Sequence, residues 1–497
     1  MIHVEPDFET FRAGYEAGAP QVLWARRISD LETPVSAYMK LARGRTNTFL
    51  LESVEGGENL GRYSIIGLDP DLIWQAEGDH AVIVRDGVEI PEDLPPLDSF
   101  RRLEAASRID LPEALPPMSA GLFGYFGYET AGWFERLPTP KEKPVDAPDA
   151  LFIRPQIIAV FDAVKQETVL VSPVRPGSDA DARLAYDNAC ARLSAAVATL
   201  DGPIDAEPVG VDFTPEELPE PVSNMSPDAY QDMVLRAKEY VLAGDIFQVV
   251  LSQRFETAFE ETPLALYRAL RRLNPSPFLF LLDFEIGALV GSSPEILVRV
   301  RDGEVAIRPI AGTRKRGATR AEDLALEQDL LADPKERAEH LMLLDLGRND
   351  VGRSAALGTV EVTEQFVVER YSHVMHIVSH VIGRLREDVD ALTAVFGGFP
   401  AGTVSGAPKI RAMEIINELE PEARGPYAGT IGYFSASGNV DTCIALRTAF
   451  LKDGVMRVQA GAGVVADSDP RSEHQECRNK ARALIAAAAA ASSRANR

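Results

Sequence analysis

Apolar and polar residues alternate in short stretches over 48–88 (TFLLESVE, RYSIIGL, HAVIVRDG), the pattern of antiparallel strands joined by tight turns. Residues 180–200 carry alanine and leucine at helical period instead. The segment 201–223 has no usable period, and its five prolines and seven acidic residues mark a surface linker. Beyond it, Ser226-Pro227 supplies a helix cap and first turn, and Tyr230, Met233, Val234, Ala237, Tyr240 and Val241 recur at helical spacing up to Gly244. A strand over FQVVLSQRFE follows, then a helix from Pro263, then the strands FLFLLDF and ALVGSS. Asp333-Pro334 opens a capped helix expected to run through Leu346, with Glu336 at its third position. Strands are expected over 429–434, 440–451 and 455–465, the last two joined by an Asp453-Gly454 turn. Asp469-Pro470 opens a final helix that runs into six alanines at 486–491. Strands outnumber clean strand-helix-strand alternation, so the class is α+β with mainly antiparallel sheets. The organisation expected is an N-terminal regulatory or structural domain at 1–200, the acidic linker at 201–223 and a catalytic domain at 224–497.

Composition narrows the functional classes. The chain has 497 residues, 45% of them hydrophobic, which is enough for a full core. No run approaches the roughly 20 apolar residues of a membrane span, and the first residues lack the basic and apolar regions of a signal peptide. Cys190, Cys443 and Cys477 cannot form a disulfide framework and fit a reducing cytoplasm. A formal charge of −24 argues against binding to a nucleic-acid backbone. An anionic small molecule would need a locally positive site inside this negative field.

The common nucleotide and hydrolase motifs are missing. There is no G-x-x-x-x-G-K-[ST], GAGVVA at 461–466 lacks the third glycine of a dinucleotide fingerprint, and no G-x-S-x-G occurs. Ser405 is expected to start a helix over 407–419. None of the cysteines sits in a G-x-C-x-G setting. His373, His376 and His380 lie in YSHVMHIVSHVI, whose β-branched residues suggest a strand with His376 and His380 on one face. A zinc site lacks its H-E-x-x-H signature there, which leaves general acid/base work for one of them.

Three constellations could carry chemistry. Glu339 in the capped helix, and Glu473 and Glu476 at the start of the last one, fit either favourable charge near helix N-termini or a Mg²⁺ site. PIAGT (309–313) and AGAG (460–463) are glycine-containing strand ends whose backbone N–H groups can approach a carboxylate. In DTCIALRTAFL, alternation puts Arg447 on a face with Asp441, Cys443, Ala445 and Ala449, where it could fork a carboxylate. Gln248 is a polar residue among apolar ones on a strand.

Together these segments resemble the chorismate-utilising enzymes, nearest the anthranilate-forming branch. The matching stretches are GSSPE (291–295), PIAGT, EHLMLLDLGRNDVGR (339–353), YSHVMHIVS (371–379), FPAGTVSGAPK (399–409), RGPYAGTIGY (424–433), DTCIALRT (441–448) and QAGAGVVADSDP (459–470) with Glu473 and Glu476. They run in order through nearly all of 225–485. The resemblance implies a large β-sandwich with outer helices and intertwined halves. It assigns Glu339 and Glu476 to Mg²⁺, and Glu473 to a nearby acidic position. Arg447, Tyr427 and the backbone of Gly461, Ala462 and Gly463 match the binders of the enolpyruvyl carboxylate. Gly312 and Thr313 match substrate-contacting positions, Glu295 the general acid for the departing hydroxyl, and His376 a catalytic histidine serving pyruvate elimination. Ala311 stands where aminodeoxychorismate-forming relatives have a nucleophilic lysine, and Gln248 where isochorismate-forming relatives have a lysine that activates water. Both point to direct addition of ammonia, supplied by a separate amidotransferase subunit in a hetero-oligomer. Glu52 and Ser53 in LLES, and Pro277, Phe278 and Leu279 in NPSPFLF, resemble the tryptophan-binding segments of feedback-inhibited members, although Phe278-Leu279 replaces the frequent Tyr-Met.

Overall fold

Helix starts and stops follow the capping residues. In the computed structural model, which describes residues 2–55, 59–176, 181–204, 218, 220–371 and 374–495, the Ser226 hydroxyl accepts the Ala229 N–H (3.1 Å) and opens Pro227–Ala243. Gly244 ends that helix at φ +84°, a conformation that is cheap only without a Cβ. Asp333 accepts the N–H groups of Lys335 and Glu336 and opens Pro334–Ser354. This helix runs well past Leu346. Gly347 packs so closely that a Cβ would lie 2.9 Å from Pro309, and Asp350 is buried against the Lys409 ammonium (2.9 Å). Tertiary packing thus outweighs the weak helix propensity of Gly-Arg-Asn at 347–349. The last helix, Pro470–Ala495, is capped by Asp469, which accepts the Ser472 N–H (2.9 Å).

The 22 strands of the described residues join in one sheet system, and both halves of the chain contribute to it. Thr48–Glu55 pairs antiparallel with Phe278–Phe284, putting Leu51 opposite Phe280 and Glu52 opposite Leu279. Gly121–Phe126 pairs antiparallel with Thr430–Ser435. One set of strand faces encloses an interior built on Phe49, Phe123, Phe280 and Phe450, with the Phe49 and Phe123 rings stacked at 4.5 Å. The opposite faces are covered by helices, among them Pro263–Leu273 and Pro470–Ala495, whose Leu266, Leu270 and Leu484 are fully buried. Period-2 patterning on the strands and period-3.6 patterning on the helices therefore meet in the expected α+β sandwich.

Three local expectations are corrected. The strand over 440–451 is two, Val440–Ile444 and Thr448–Lys452. Between them Arg447 takes φ +47° and its carbonyl accepts the Ser292 N–H (3.2 Å), so alternation does not set which way Arg447 faces. The helix after Ser405 begins only at Lys409, behind Pro408, while the Ser405 hydroxyl donates to the Ala401 carbonyl (2.8 Å) instead of capping. The region read as a linker is regular at both ends: Ala182–Asp201 is helical through its first residue, and Val222–Ser223 pairs with Phe255 and Glu256. Residues 205–217 and 219 lie outside the described residues.

Candidate active site

Two neighbouring strands make the floor. Gln248–Ala258 and Val455–Val464 pair antiparallel, with Val250 opposite Gly463, Leu251 opposite Ala462 and Ser252 opposite Gly461. The strand approaches its neighbours closely here: a Cβ at Gly463 would lie 2.4 Å from the Gln248 side-chain nitrogen, and one at Gly461 would lie 2.9 Å from the Tyr427 hydroxyl and 3.0 Å from the Leu251 carbonyl oxygen. Gln248 is buried, and its carbonyl oxygen has no hydrogen-bond partner among the described residues.

The histidine is oriented by backbone. His376 lies on Val374–Arg384, and its Nδ1 is 2.8 Å from the Gly312 carbonyl and 3.2 Å from the Thr313 hydroxyl. A carbonyl can only accept, so Nδ1 carries the proton and Nε2 is left as a base. Burial pushes the His376 pKa down, and the nearby Arg447 charge adds to this against the Gly312 carbonyl. His380 turns instead to the Thr363 hydroxyl (2.9 Å), and His373 lies outside the described residues.

Glu295 is buried, and its Oε2 accepts the Thr403 hydroxyl (3.0 Å). Burial pushes its pKa up to about 8, with the Thr403 hydrogen bond opposing. The carboxyl is therefore mostly protonated at neutral pH, the form a general acid needs.

Glu339, Glu473 and Glu476 share one electrostatic neighbourhood. Burial raises the Glu339 pKa first, and the negative charges of Glu336 and Glu476 raise it further. Glu473 is likewise raised by burial and by Glu476, against the Ser468 hydroxyl. Lys480, one turn after Glu476, binds its carboxylate (2.8 Å) and donates to the Gly461 carbonyl (2.9 Å), which ties the acidic cluster to the glycine strand. Among the described residues no three His, Cys, Asp or Glu side chains group as a metal cage. Mutually repelling carboxylates, two or three in number, do fit Mg²⁺, which completes its shell with water and substrate oxygens.

Arg447 is the local cation. Its side chain is half-buried, desolvation lowers its pKa, and no carboxylate among the described residues pairs with it. A desolvated guanidinium without a counter-ion is costly, and a bound carboxylate would remove that cost.

The residues read as an effector site form a separate group. Ser53 lies opposite Phe278, and with Pro277 they line a cavity of about 1170 Å³ inside the sandwich, to which Cys443 and Tyr371 also contribute. Glu52 and Leu279 line it as well, while the Glu52 carboxylate is already bound by Arg271 (2.7 Å) and the Tyr267 hydroxyl. Leu279, in register with Glu52, is buried in the main core. The Tyr371 ring packs 5.5 Å from that of His376, so this cavity adjoins the candidate active site.

Thr403 and Lys480 were missed in the sequence. Lys480 had a signal, since it stands four residues after Glu476 on one helix face. Thr403 had none: a hydroxyl in an irregular segment has neither period nor charge.

The family model described as chorismate binding enzyme matches residues 47–486. The chain is 55% identical over 487 residues to anthranilate synthase component 1 of Cereibacter sphaeroides, covering 97% of each chain. It is 46% identical to the protein of that name from Synechocystis sp., over 97% of this chain and 99% of the relative. The crystal structure of anthranilate synthase component I from Streptococcus pneumoniae superposes with a TM-score of 0.77 at 37% identity, covering 92% of this chain and 98% of that one. The menaquinone-specific isochorismate synthase from Escherichia coli, with a TM-score of 0.71 at 20% identity, shares the fold.

Proposed function

The chain belongs to the chorismate-binding enzymes and is a lyase acting on chorismate, and on that premise we propose that it forms anthranilate and pyruvate from chorismate and ammonia. The observation that carries the reading is Arg447, a half-buried cation without a carboxylate partner among the described residues, beside His376, whose pKa burial lowers. Substrate carboxylates supply the missing counter-charge. Arg447, Tyr427 and the Gly461–Gly463 strand hold the enolpyruvyl carboxylate, and Gly312 and Thr313 bound the ring. Ammonia adds at ring carbon 2 as the hydroxyl at carbon 4 leaves with the proton of Glu295, so water departs and the acid becomes a carboxylate. Gln248 offers its unpartnered carbonyl oxygen to an N–H of the ammonia. Nε2 of His376 then takes the proton from carbon 2 as pyruvate is eliminated and the ring becomes aromatic. Ala311 supplies no nucleophile that could trap the ring covalently.

Glu339 and Glu476, with Glu473 nearby, would hold Mg²⁺, which supplies positive charge for a ring carboxylate and for the leaving oxygen. Glu476→Ala should leave the circular dichroism unchanged, abolish turnover at any practicable Mg²⁺ concentration, and remove the Mg²⁺-dependent rise in Tm. Retained turnover with the same Tm response would place the metal elsewhere.

The ammonia comes from glutamine through a separate amidotransferase subunit, which makes the working enzyme a cytoplasmic hetero-oligomer. Tryptophan inhibits by binding in the cavity bounded by Ser53, Pro277 and Phe278. Ser53→Ala should raise the tryptophan inhibition constant by about 10-fold or more, the worth of one well-placed hydrogen bond, while uninhibited turnover stays unchanged. Unaltered inhibition would put the effector elsewhere.

The product assay is direct. Purified chain with chorismate, ammonium and Mg²⁺ should release anthranilate fluorescence and an equal amount of pyruvate. Amino-chorismates accumulating without pyruvate would support an aminodeoxychorismate-forming or arrested reaction instead.

A further inference from the structure

Arg424 is an interior arginine that the reaction does not use. It is 3% exposed, and its guanidinium is almost fully engaged by protein. Nε and Nη2 fork the Glu420 carboxylate (2.9 and 2.5 Å), Nη1 donates to the Val404 carbonyl (2.7 Å), and Nη2 donates to the Val250 carbonyl (2.7 Å). Four of its five N–H groups are thereby taken, so it has little left for a ligand. Its carbon lies 4.6 Å from the Tyr128 ring and 5.6 Å from the Tyr427 ring, within cation–π range of both. Val404 follows Thr403, the hydroxyl that binds Glu295. Arg424 therefore touches the ring of one proposed substrate binder and the backbone beside the partner of the proposed acid.

The turn that carries Arg424 is gripped from the other half of the chain. Glu129, in the short helical turn Tyr128–Trp133, accepts the N–H of Arg424 (2.7 Å) and of Gly425 (2.9 Å) through its two carboxylate oxygens. The Tyr128 N–H donates back to the Gly425 carbonyl (2.8 Å). Gly425 sits at φ +61° and Ala428 at φ +64°, so the backbone on both sides of Tyr427 is left-handed and needs external support.

We propose that Glu129 and Arg424 are positioning residues for Tyr427, through which the N-terminal half sets the geometry of the substrate-carboxylate site. The proposal rests on the chorismate reading above. The test is a double-mutant cycle between Glu129→Ala and Tyr427→Ala, read as chorismate KM and kcat, with hydrogen exchange followed over residues 424–428. Glu129→Ala should raise KM about 10-fold with kcat within about 3-fold, because the hydrogen bonds from the Arg424 and Gly425 N–H groups are lost far from the reacting atoms. The double variant should be no worse than Tyr427→Ala, because Glu129 acts through that ring. Amide exchange at Arg424 and Gly425 should accelerate at least about 10-fold. Additive KM effects, or unchanged exchange, would overturn the proposal. If Glu129→Ala does not fold, Glu129→Gln, which keeps one acceptor, runs the same cycle with smaller effects of the same sign. A wild-type chain that leaves chorismate untouched would sink the functional reading, while the exchange measurement would still decide whether Glu129 holds the turn.

Discussion

Replacing Arg447 by methionine should lower kcat/KM for chorismate by about 10²- to 4 × 10³-fold and raise the melting temperature by a few degrees. Truncating one partner of a buried charge pair costs about 3–5 kcal/mol, which at about 1.4 kcal/mol per decade gives that loss of affinity for the carboxylate. The stability change has the opposite sign because the free protein carries the guanidinium without a carboxylate partner among the described residues. Methionine fills similar volume and needs no counter-charge. Gain of stability with loss of function is the signature of a site prepared for a ligand. Steady-state kinetics and calorimetry on the same preparation check both halves. A lower melting temperature with unchanged KM would make Arg447 a structural residue.

The second large effect concerns Glu295. Glu295→Gln should reduce kcat by about 10²- to 10⁴-fold, the usual worth of a positioned proton donor. Burial raises the Glu295 pKa to about 8, so the donating acid is present at pH 7 and is lost as pH rises through about 8. The alkaline limb of kcat/KM should therefore lie near that value and vanish from the residual activity of Glu295→Gln. The Thr403 hydrogen bond holds this pKa down, so Thr403→Val should move the limb to higher pH without removing it. A limb that stays put in both variants would exclude Glu295 as the titrating acid. On the acid side, His376 is pushed below its ordinary value by burial, so Nε2 stays available as a base across neutral pH.

Much of this was legible in the chain. Ser226-Pro227 and Gly244 bracket their helix in both sequence and structure, and Asp453-Gly454 forms its hairpin with both residues at positive φ. Such signals are local: a cap or a tight turn is decided within a few residues. What failed was decided at a distance. The alternation through DTCIALRTAFL is unbroken, yet the strand is interrupted where the Ala445 N–H donates to the Gly429 carbonyl and Ser292 claims the Arg447 carbonyl. The helix from Asp333 continues to Ser354 because Asp350 meets Lys409, a partner 59 residues away. In the site, the residue types were recognisable as a family pattern, but their physical state was not. No spacing rule shows that Glu295 is held protonated or that Arg447 lacks a counter-ion, since both follow from burial. Likewise nothing in LLES shows that the Glu52 carboxylate is already bound by Arg271, a partner 219 residues away.

The negative charge of the whole chain, −24, concerns solubility and long-range repulsion. Arg447, which no carboxylate among the described residues pairs with, is the group in the proposed site that could offset that field for an anionic substrate.

The most direct test of the central claim, direct amination of chorismate by this chain alone, is a quenched turnover with ¹⁵N-ammonium, chorismate and Mg²⁺, analysed by mass spectrometry. Direct amination should yield ¹⁵N-labelled anthranilate together with an equal amount of pyruvate. Isochorismate, or an amino-chorismate that never releases pyruvate, would contradict it.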